Sequence, residues 1–425
     1  MGYLEIVAIV FLCLNVVCAV FTLHYPIFML IGLFGCKKFP HTADKKRYAI
    51  VIGARNEEKV ITHLIDSVFS SNYPKEKIAV FVVAHNCTDK TAEVSRAHGA
   101  IVYEYDNPAE NTVGYAYKYL FDMINRDHKG EFDGFFVINA DNVLTPDYID
   151  RMNDAFVYYD GKRVVTSYRN SGNIADNFIS CMYGMYFVSA CRFEARGRTV
   201  CDCSTRVSGT GYVMPASTVE NGWEYVTLTE DWEFTADRVC RGQKIMHCDE
   251  AEFFDEQPTT VPVMMRQRLR WARGHTLVFL TRFRKLVRSF FKRKKRGGND
   301  NKFSIYDTAV SIMPLGAIGV GLWIAQTALI ALCPIFGYDA ARVWAVYGMI
   351  SAILFGAAYL LTFMSGMLLV IIERKRLLKV PFGKKFAALL LFPFFLLINV
   401  VLDVASLFAK KLSWKTIPHN GQSIK

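Results

Sequence analysis

The stretch YAIVIGARNEEKVITHLIDSV, residues 48–68, decides the fold class of this chain. It begins with an apolar run at residues 48–52 that predicts a short buried strand, and the polar residues 55–58 follow as a turn. Apolar residues then recur at helical spacing, at Ile61, Leu64, Ile65 and Val68. A strand, a polar turn and an amphipathic helix together form the repeating unit of an α/β sheet.

The same unit repeats along the chain. Further strands are predicted at residues 78–83, 101–105 and 135–138, with one helix capped by Thr88 and another over residues 115–124. This alternation indicates an α/β fold with a mostly parallel sheet and helices on its faces. Such sheets bind ligands at the carboxyl ends of their strands, so the polar clusters there are the candidate site.

Apolar segments lie on both sides of this central block. Residues 6–34, 312–336, 343–372 and 386–408 are each long enough to cross about 30 Å of hydrocarbon. Lysine and arginine residues follow the first segment and precede the second, which predicts a cytoplasmic central block in a multi-pass protein of the cell membrane.

Composition agrees with this assignment. The 425 residues carry a net charge of +11 and are 52% hydrophobic, which excludes a disordered chain. Because the basic residues cluster beside the apolar segments, membrane lipids account for the charge and nucleic acid is excluded as a partner. Four spans would place Lys410, Lys411 and Lys415 on the far side, against the usual charge distribution. A re-entrant pair split at Pro393 would return them to the cytoplasm, and the sequence leaves both arrangements open.

Polar clusters follow three of the predicted strands: ARNEE at 54–58, AHNCTD at 84–89 and NADN at 139–142. Each alone also fits a simple turn or helix cap. Further strings come later in the chain: TSYRNS at 166–171, VSGTGY at 207–212, TED at 229–231, DEQPTT at 255–260 and QRLRW at 267–271. In this order and between apolar segments, the set resembles the membrane-bound, processive-type glycosyltransferases of family 2. These include the cellulose, chitin and hyaluronan synthases and bacterial exopolysaccharide enzymes.

The resemblance implies a GT-A-type, Rossmann-like domain inserted between transmembrane helices. Its parts are an N-terminal transmembrane helix at 1–36, a cytoplasmic glycosyltransferase domain at 45–257, interfacial amphipathic helices with a basic segment at 258–300, and a C-terminal transmembrane region at 305–425. It implies catalytic roles for Asp231 as base, with Glu230 and Arg270, and a Mg²⁺ or Mn²⁺ site at Asp141 and Asn139. The implied substrate-binding residues are Ala54, Arg55, Asn56, Glu57, His85, Asn86, Asp89, Ala140, Gly209, Thr210, Gly211, Gln267, Arg270 and Trp271.

Two of these assignments have structural alternatives. Thr227 and Glu230 have the spacing of a capping box at a helix start, which is compatible with a catalytic Asp231. Gln267, Arg270 and Trp271 share one helical face, where a guanidinium can pair with a diphosphate and an indole can cover a sugar ring. The same helix also fits an amphipathic segment with arginines at lipid phosphates.

The chain departs from the family pattern at four positions. Asn139 stands where the D-x-D motif has its first acid, and an amide is a weaker ligand for a divalent cation than a carboxylate. His85 replaces an acid that contacts the nucleoside, Val113 replaces a lysine, and Gly53 replaces a proline.

The resemblance thus implies an inverting enzyme that transfers a sugar from a nucleotide-sugar, expected to be a UDP-sugar, to a growing polysaccharide or lipid-linked glycan. Hexosyl or N-acetylhexosaminyl transfer is expected, with polysaccharide export proteins as further partners. The departures leave an alternative open: a weak or inactive relative that serves as a binding or assembly subunit.

Overall fold

A computed structural model describes residues 2–292 and 301–409. Residues 293–300 of the predicted basic segment, and Lys410, Lys411 and Lys415, lie outside the described residues. The centre of the chain forms an eight-stranded sheet in the order β3-β2-β1-β4-β7-β6-β8-β5. The strands are β1 Tyr48–Ala54, β2 Ile78–His85, β3 Ile101–Tyr105, β4 Gly134–Val137, β5 Val143–Leu144, β6 Val164–Ser171, β7 Tyr212–Pro215 and β8 Ile245–Asp255.

The first half of the sheet confirms the predicted parallel arrangement, since β1 pairs in parallel with both β2 and β4, and β2 with β3. The second half is mixed. Strand β7 runs antiparallel to both β4 and β6, and the two-residue β5 runs antiparallel to β8. Strand β6 nevertheless pairs in parallel with β8, so this half combines parallel and antiparallel neighbours.

Helices cover both faces of the sheet. Those of the central block are α3 Ile61–Phe69, α4 Thr91–Ala97, α5 Val113–Asp127, α6 Tyr148–Tyr158, α7 Phe178–Ser189, α8 Arg196–Val200 and α9 Glu230–Cys240. Successive residues of β1 point to opposite faces: Ile50 and Ile52 pack under α3 and α6, whereas Ala49 and Val51 pack under α5. The β1 run is apolar throughout because both faces are buried.

Two predicted helix starts are wrong. Thr88 does not cap α4, because the Asp89 carboxylate accepts the hydrogen bond from the backbone of Thr91, at 3.0 Å. The capping box predicted from Thr227 does not form either, since α9 begins only at Glu230. The acids at the start of α9 still suit the positive end of the helix dipole.

The apolar segments form helices α1 Tyr3–Thr22, α2 His24–Phe34, α12 Leu315–Ala331, α13 Ala340–Ile372 and α14 Phe382–Phe408. Residues 3–34, α13 and α14 are each long and apolar enough to span a membrane. A fourth candidate is formed by α12 together with α11, Lys302–Ser311, at a 61° bend. Thus four apolar helical segments are present, as predicted.

The proposed split at Pro393 is wrong, because α14 continues through this residue. Pro393 is buried between Leu389 and Phe395, so the packing around it compensates for the lost backbone hydrogen bond. The bend lies instead at Pro314, between α11 and α12.

Helix α14 runs along the α/β domain. Near its start the Lys384 ammonium donates to the carbonyl of Asp176, at 2.8 Å. Near its end the Ser406 carbonyl accepts from Arg273 of α10, Val261–Phe291, at 3.0 Å. The turn before α14 is also fastened to the domain, through Arg376 and Glu252 at 3.1 Å. Both ends of α14 therefore lie on the domain's side of the apolar helices.

Candidate active site

A cleft of about 250 Å³ opens at the carboxyl ends of β1 and β4 and extends beneath α10. Eleven of the residues predicted for the site line it: Glu57, Asn139, Ala140, Asp141, Gly209, Thr210, Glu230, Asp231, Gln267, Arg270 and Trp271. The cleft therefore unites segments that lie more than 200 residues apart in the chain.

The first turn of α9 places two carboxylates at the centre of the cleft. Glu230 is 8% exposed, whereas Asp231 keeps a larger accessible part. Burial raises the pKa of both groups, and the negative charge of Asp231 raises that of Glu230 further. The backbone amide of Trp232 donates to Asp231 Oδ1, at 2.9 Å. Asp231 is thus a fixed, reachable carboxylate with an elevated proton affinity, as a general base requires.

Helix α10 contributes the opposite wall. The Arg270 guanidinium donates to the Leu228 carbonyl at 3.3 Å, directly before α9, and its charge lowers the raised pKa of Asp231. The Gln267 side-chain oxygen accepts from the Tyr183 hydroxyl at 2.8 Å. Trp271 meets the Tyr183 ring edge-on, with centroids 6.2 Å apart. One helical face thus presents a cation, an amide and an indole to the cleft, as its spacing predicted.

The VSGTGY segment, residues 207–212, forms the floor of the cleft. Gly209 and Gly211 both adopt positive φ angles, of 75° and 70°. A Cβ on Gly211 would lie 2.2 Å from the Phe253 ring, so this glycine serves the packing beneath the cleft instead of lining it. The Thr210 hydroxyl accepts from the backbone of Asn139 and from the Asn142 side chain, both at 2.9 Å. It thereby fixes the NADN turn.

Asn139 and Asp141 fit a divalent cation by the chemistry of their oxygens, although one is an amide. Both line the cleft, across from α9. Burial raises the pKa of the Tyr117 phenol, and the charges of Glu230, Asp141 and Asp231 raise it further, so all three carboxylates lie near this phenol. Such a concentration of negative charge favours a bound cation.

A different group of possible metal ligands lies away from the cleft. His41, Asp150 and Asp154 have ligand atoms within 4.8 Å of one another, the one such group among the described residues. Lys45 forms an ion pair with Asp150 at 2.5 Å, and Arg151 lies 3.9 Å from Asp154. The side chains of Lys45 and Arg151 therefore already balance the negative charge of Asp150 and Asp154.

Besides Gly211, six predicted substrate-binding residues are not on the cleft wall: Ala54, Arg55, Asn56, His85, Asn86 and Asp89. They belong to the loops after β1 and β2, which hold each other in place. The Asn56 side-chain oxygen accepts from the backbone of Thr88 at 2.8 Å, and Asp89 accepts from the backbone of Glu58 at 3.1 Å. Asn56 and Asn86 have positive φ angles of 57° and 51°, which asparagine tolerates well.

His85 ends β2 as a buried, neutral imidazole. Burial and the nearby Arg55 guanidinium lower the pKa of His85 to about 4. Arg55 contacts His85 Nδ1 at 2.9 Å and donates to the His85 carbonyl at 3.1 Å. The ring stacks on Tyr105, with centroids 5.4 Å apart. In place of the acid that the family pattern expects, this position holds an uncharged aromatic ring.

Sequence reasoning missed two groups that line the cleft. Arg169 on β6 pairs with Asp255 at the end of β8, and both belong to strings that carried no assigned role. A π-helix, Ala190–Ala195, follows α7 and contributes Glu194. Such π-helical turns occur often at functional sites, but no residue pattern announces them.

Comparisons with known proteins agree with this geometry. The family model described as "Glycosyltransferase like family 2" matches residues 46–274. The chain is 27% identical over 268 residues to the probable glycosyltransferase YdaM of Bacillus subtilis (strain 168), and the aligned region covers 59% of each chain. It is 22% identical over 253 residues to a probable glycosyltransferase of Sulfolobus acidocaldarius, covering 57% of this chain and 52% of that one. The matches thus span little more than half the length of these relatives.

Among solved structures, the mannosyltransferase PcManGT from Pyrobaculum calidifontis, in complex with GDP-Man and Mn²⁺, has a TM-score of 0.59. The match covers 95% of this chain and 99% of that chain, at 12% sequence identity. The likeness at this identity is one of fold, and it includes the helices outside the α/β domain.

Proposed function

The chain belongs to glycosyltransferase-like family 2, whose model matches more than half of it, and from this premise we propose that it is an inverting glycosyltransferase of the membrane. Its donor is a nucleotide sugar, the class of ligand that PcManGT holds. Its acceptor is a hydroxyl of a glycan or of a lipid-linked glycan. The single observation that carries the proposal is the convergence of Asp231, Arg270 and Asp141 on one cleft.

The reaction follows from this arrangement. Asp231 takes the proton of the acceptor hydroxyl, whose oxygen forms a bond to the anomeric carbon of the donor sugar. The bond from that carbon to the diphosphate oxygen breaks, and its electron pair leaves with the diphosphate. Attack from the face opposite the leaving group inverts the anomeric configuration. Asp231 ends the step protonated, and Glu230 lies behind it as a buried acid.

Positive charge is needed where the diphosphate leaves. The Arg270 guanidinium provides it from α10. Asp141, with Asn139 as a weaker ligand, would hold Mg²⁺ or Mn²⁺, which supplies further positive charge to the diphosphate when bound. Gln267 and Trp271 lie on the same helical face as Arg270 and fit the acceptor side.

The membrane arrangement is part of the proposal. Residues 3–34, α12 and α13 cross the bilayer, while α14 lies in the interface against α7 and α10, since both its ends contact the domain's side. Basic residues on both flanks of the domain support a cytoplasmic location for it. This arrangement puts the end of α14 in the cytoplasm as well, which removes the conflict over the C-terminal lysines. A C-terminal fluorescent or phosphatase fusion tests it, and periplasmic or extracellular phosphatase activity would contradict it.

The alternative function is a binding subunit without turnover, which Asn139 in the cation site and Val113 at the cleft wall favour. The test is to incubate the full chain in lipid nanodiscs with a methyl glycoside as acceptor, with UDP-glucose, UDP-N-acetylglucosamine or GDP-mannose as donor, and with Mn²⁺. Release of a nucleoside diphosphate is expected, with inverted anomeric configuration of the product by NMR. Binding of the nucleotides without release from any donor would favour the binding subunit.

A further inference from the structure

Two buried acceptor oxygens lie without a hydrogen-bond partner on the cleft wall where β8 ends. They are Oδ1 of Asp255, the last residue of β8, and Oε1 of Gln257, in the loop that follows. The two residues are 2% and 3% exposed, and both line the cleft. Leaving such an acceptor unsatisfied costs about 1–3 kcal/mol, so partners are expected from a ligand.

The surrounding contacts hold both residues in place. The second carboxylate oxygen of Asp255 accepts from Arg169 Nε at 2.9 Å, and Arg169 Nη2 also donates to it. The main chain of Gln257 is bound at both polar atoms by Asn173, at 2.8 and 2.9 Å. These bonds hold the Asp255 carboxylate and the main chain of Gln257 in place. Because both unpartnered oxygens are acceptors, neither can satisfy the other, and their donors must come from another molecule.

The pair lies beside the proposed base and an aromatic wall. Arg169 also donates to the Ser208 carbonyl, at 3.0 Å, in the loop next to Asp231. Its guanidinium lies 3.6 Å over the Phe187 ring, and Trp271 meets Phe187 at 6.3 Å. This end of the cleft thus combines two hydrogen-bond acceptors with an indole, a combination that suits the hydroxyl edge and the apolar face of a sugar ring.

Hydrogen-bonding capacity distinguishes the two substrates at this end of the cleft. Asp255 Oδ1 and Gln257 Oε1 only accept hydrogen bonds, which sugar hydroxyls donate and an ionised diphosphate cannot. The donor diphosphate therefore belongs with Arg270, away from Asp255.

We propose that Asp255 and Gln257 form a subsite for the acceptor, that the acceptor is a pyranose with two free hydroxyls, and that these hydroxyls bind to Asp255 Oδ1 and Gln257 Oε1. This assignment rests on the proposed function and narrows it, because it requires the acceptor sugar to be a pyranose with two free hydroxyls besides the one that reacts. Gln257 is a specificity-determining residue under this proposal, and Asp231 remains the base.

The test measures binding without turnover. The full chain in nanodiscs is saturated with UDP, and methyl glucoside, methyl mannoside and methyl N-acetylglucosaminide are titrated with detection by saturation-transfer NMR. We expect at least one of the three pyranosides to bind the wild type. Gln257→Leu should raise the Kd of that pyranoside about tenfold, which is the effect of losing one hydrogen bond. The UDP signal stays unchanged.

The matched control is Gln243→Leu. Gln243 also has a buried oxygen without a partner, but it does not line the cleft, so this variant keeps the wild-type Kd. If Gln257→Leu fails to fold, Gln257→Asn withdraws the amide by one methylene and is expected to weaken binding similarly. Absence of binding by all three pyranosides, or equal Kd values in wild type and variant, would overturn the subsite. Failure of the proposed function shows separately, as absence of nucleoside diphosphate release.

Discussion

Arg268 of α10 donates to the side-chain oxygen of Asn399 of α14 from two nitrogens, Nε at 3.2 Å and Nη2 at 2.7 Å. The same guanidinium lies 3.9 Å over the Phe395 ring. Arg268 is only 3% exposed, so this pair holds a buried charge between the two helices. Because Gln267 and Arg270 flank Arg268, the contact fixes the helix that forms one wall of the cleft.

Asn399→Leu is therefore expected to lower both stability and activity. The substitution leaves the buried Arg268 charge without its acceptor, at a cost of about 1.5–3 kcal/mol for a charged hydrogen bond. The melting temperature, measured by differential scanning fluorimetry in nanodiscs, should fall, and Asn399→Asp should restore it. Asn15→Leu is the control, since Asn15 bonds only within its own helix, to Phe11. Equal melting temperatures for Asn399→Leu and Asn15→Leu would refute the coupling.

Gly316→Ala is expected to destabilise the packing of α12 against α14. A Cβ there would lie 2.6 Å from Asp403 Oδ2 and 2.9 Å from the Val400 backbone. Backbone cannot move aside cheaply, so a loss of about 1–3 kcal/mol is expected. Gly319→Ala is the matched control in the same helix, where nothing lies within 4 Å and alanine favours the helix. Thermal unfolding of the two variants measures the difference, and a stable Gly316→Ala would show that α12 packs elsewhere.

The pH dependence of the reaction rate is expected to follow the protonation state of Asp231. Burial raises the pKa of this carboxylate above its ordinary value, and the base must be deprotonated to accept a proton. The rate should therefore rise with pH through an acid limb that lies above about pH 3.9, the value of an unperturbed aspartate. Arg270 opposes the shift, so Arg270→Gln should move the limb to still higher pH. Initial rates measured as a function of pH test this prediction. An acid limb at the pKa of an ordinary aspartate would contradict the role of Asp231 as the base.

Asn139→Asp is expected to strengthen the cation site. A second carboxylate beside Asp141 is a better ligand for Mn²⁺ than an amide, so the Mn²⁺ concentration for half-maximal rate should fall about tenfold, or roughly 1.4 kcal/mol. Asn221→Asp adds the same charge at an exposed position and should leave the metal dependence unchanged. An unaltered Mn²⁺ requirement in Asn139→Asp would place the cation elsewhere.

Local pattern predicted the first half of the sheet well. Strand β3 occupies the predicted residues, and β2 extends only two residues further, to His85. The second half was not predictable, because β5 has two residues and β7 pairs antiparallel between strands that are distant in sequence. Such pairings depend on the tertiary arrangement and leave no period in the chain.

The residues of the candidate site were also predictable only in part. Asp231 and Arg270 were identified from motifs, and the structure brings both to one cleft. Arg169 and Asp255 belong to two of the quoted strings, but their pairing was not identified, because they are 86 residues apart and meet only where β6 pairs with β8. The pairing of Asn399 with Arg268 was not identified either, because the two residues are distant in sequence and meet only where α14 packs against α10.

The most direct test of the account is the initial rate of nucleoside diphosphate release by Asp231→Asn, with the best donor and acceptor at saturation. Asparagine keeps the shape of the side chain but cannot accept the proton, so a loss of at least about 100-fold is expected, within the usual range for a general base. Asp160→Asn, at a side chain that is 77% exposed, should retain the wild-type rate. An Asp231→Asn variant that turns over within a few-fold of wild type would contradict the assignment of the base and the proposed mechanism.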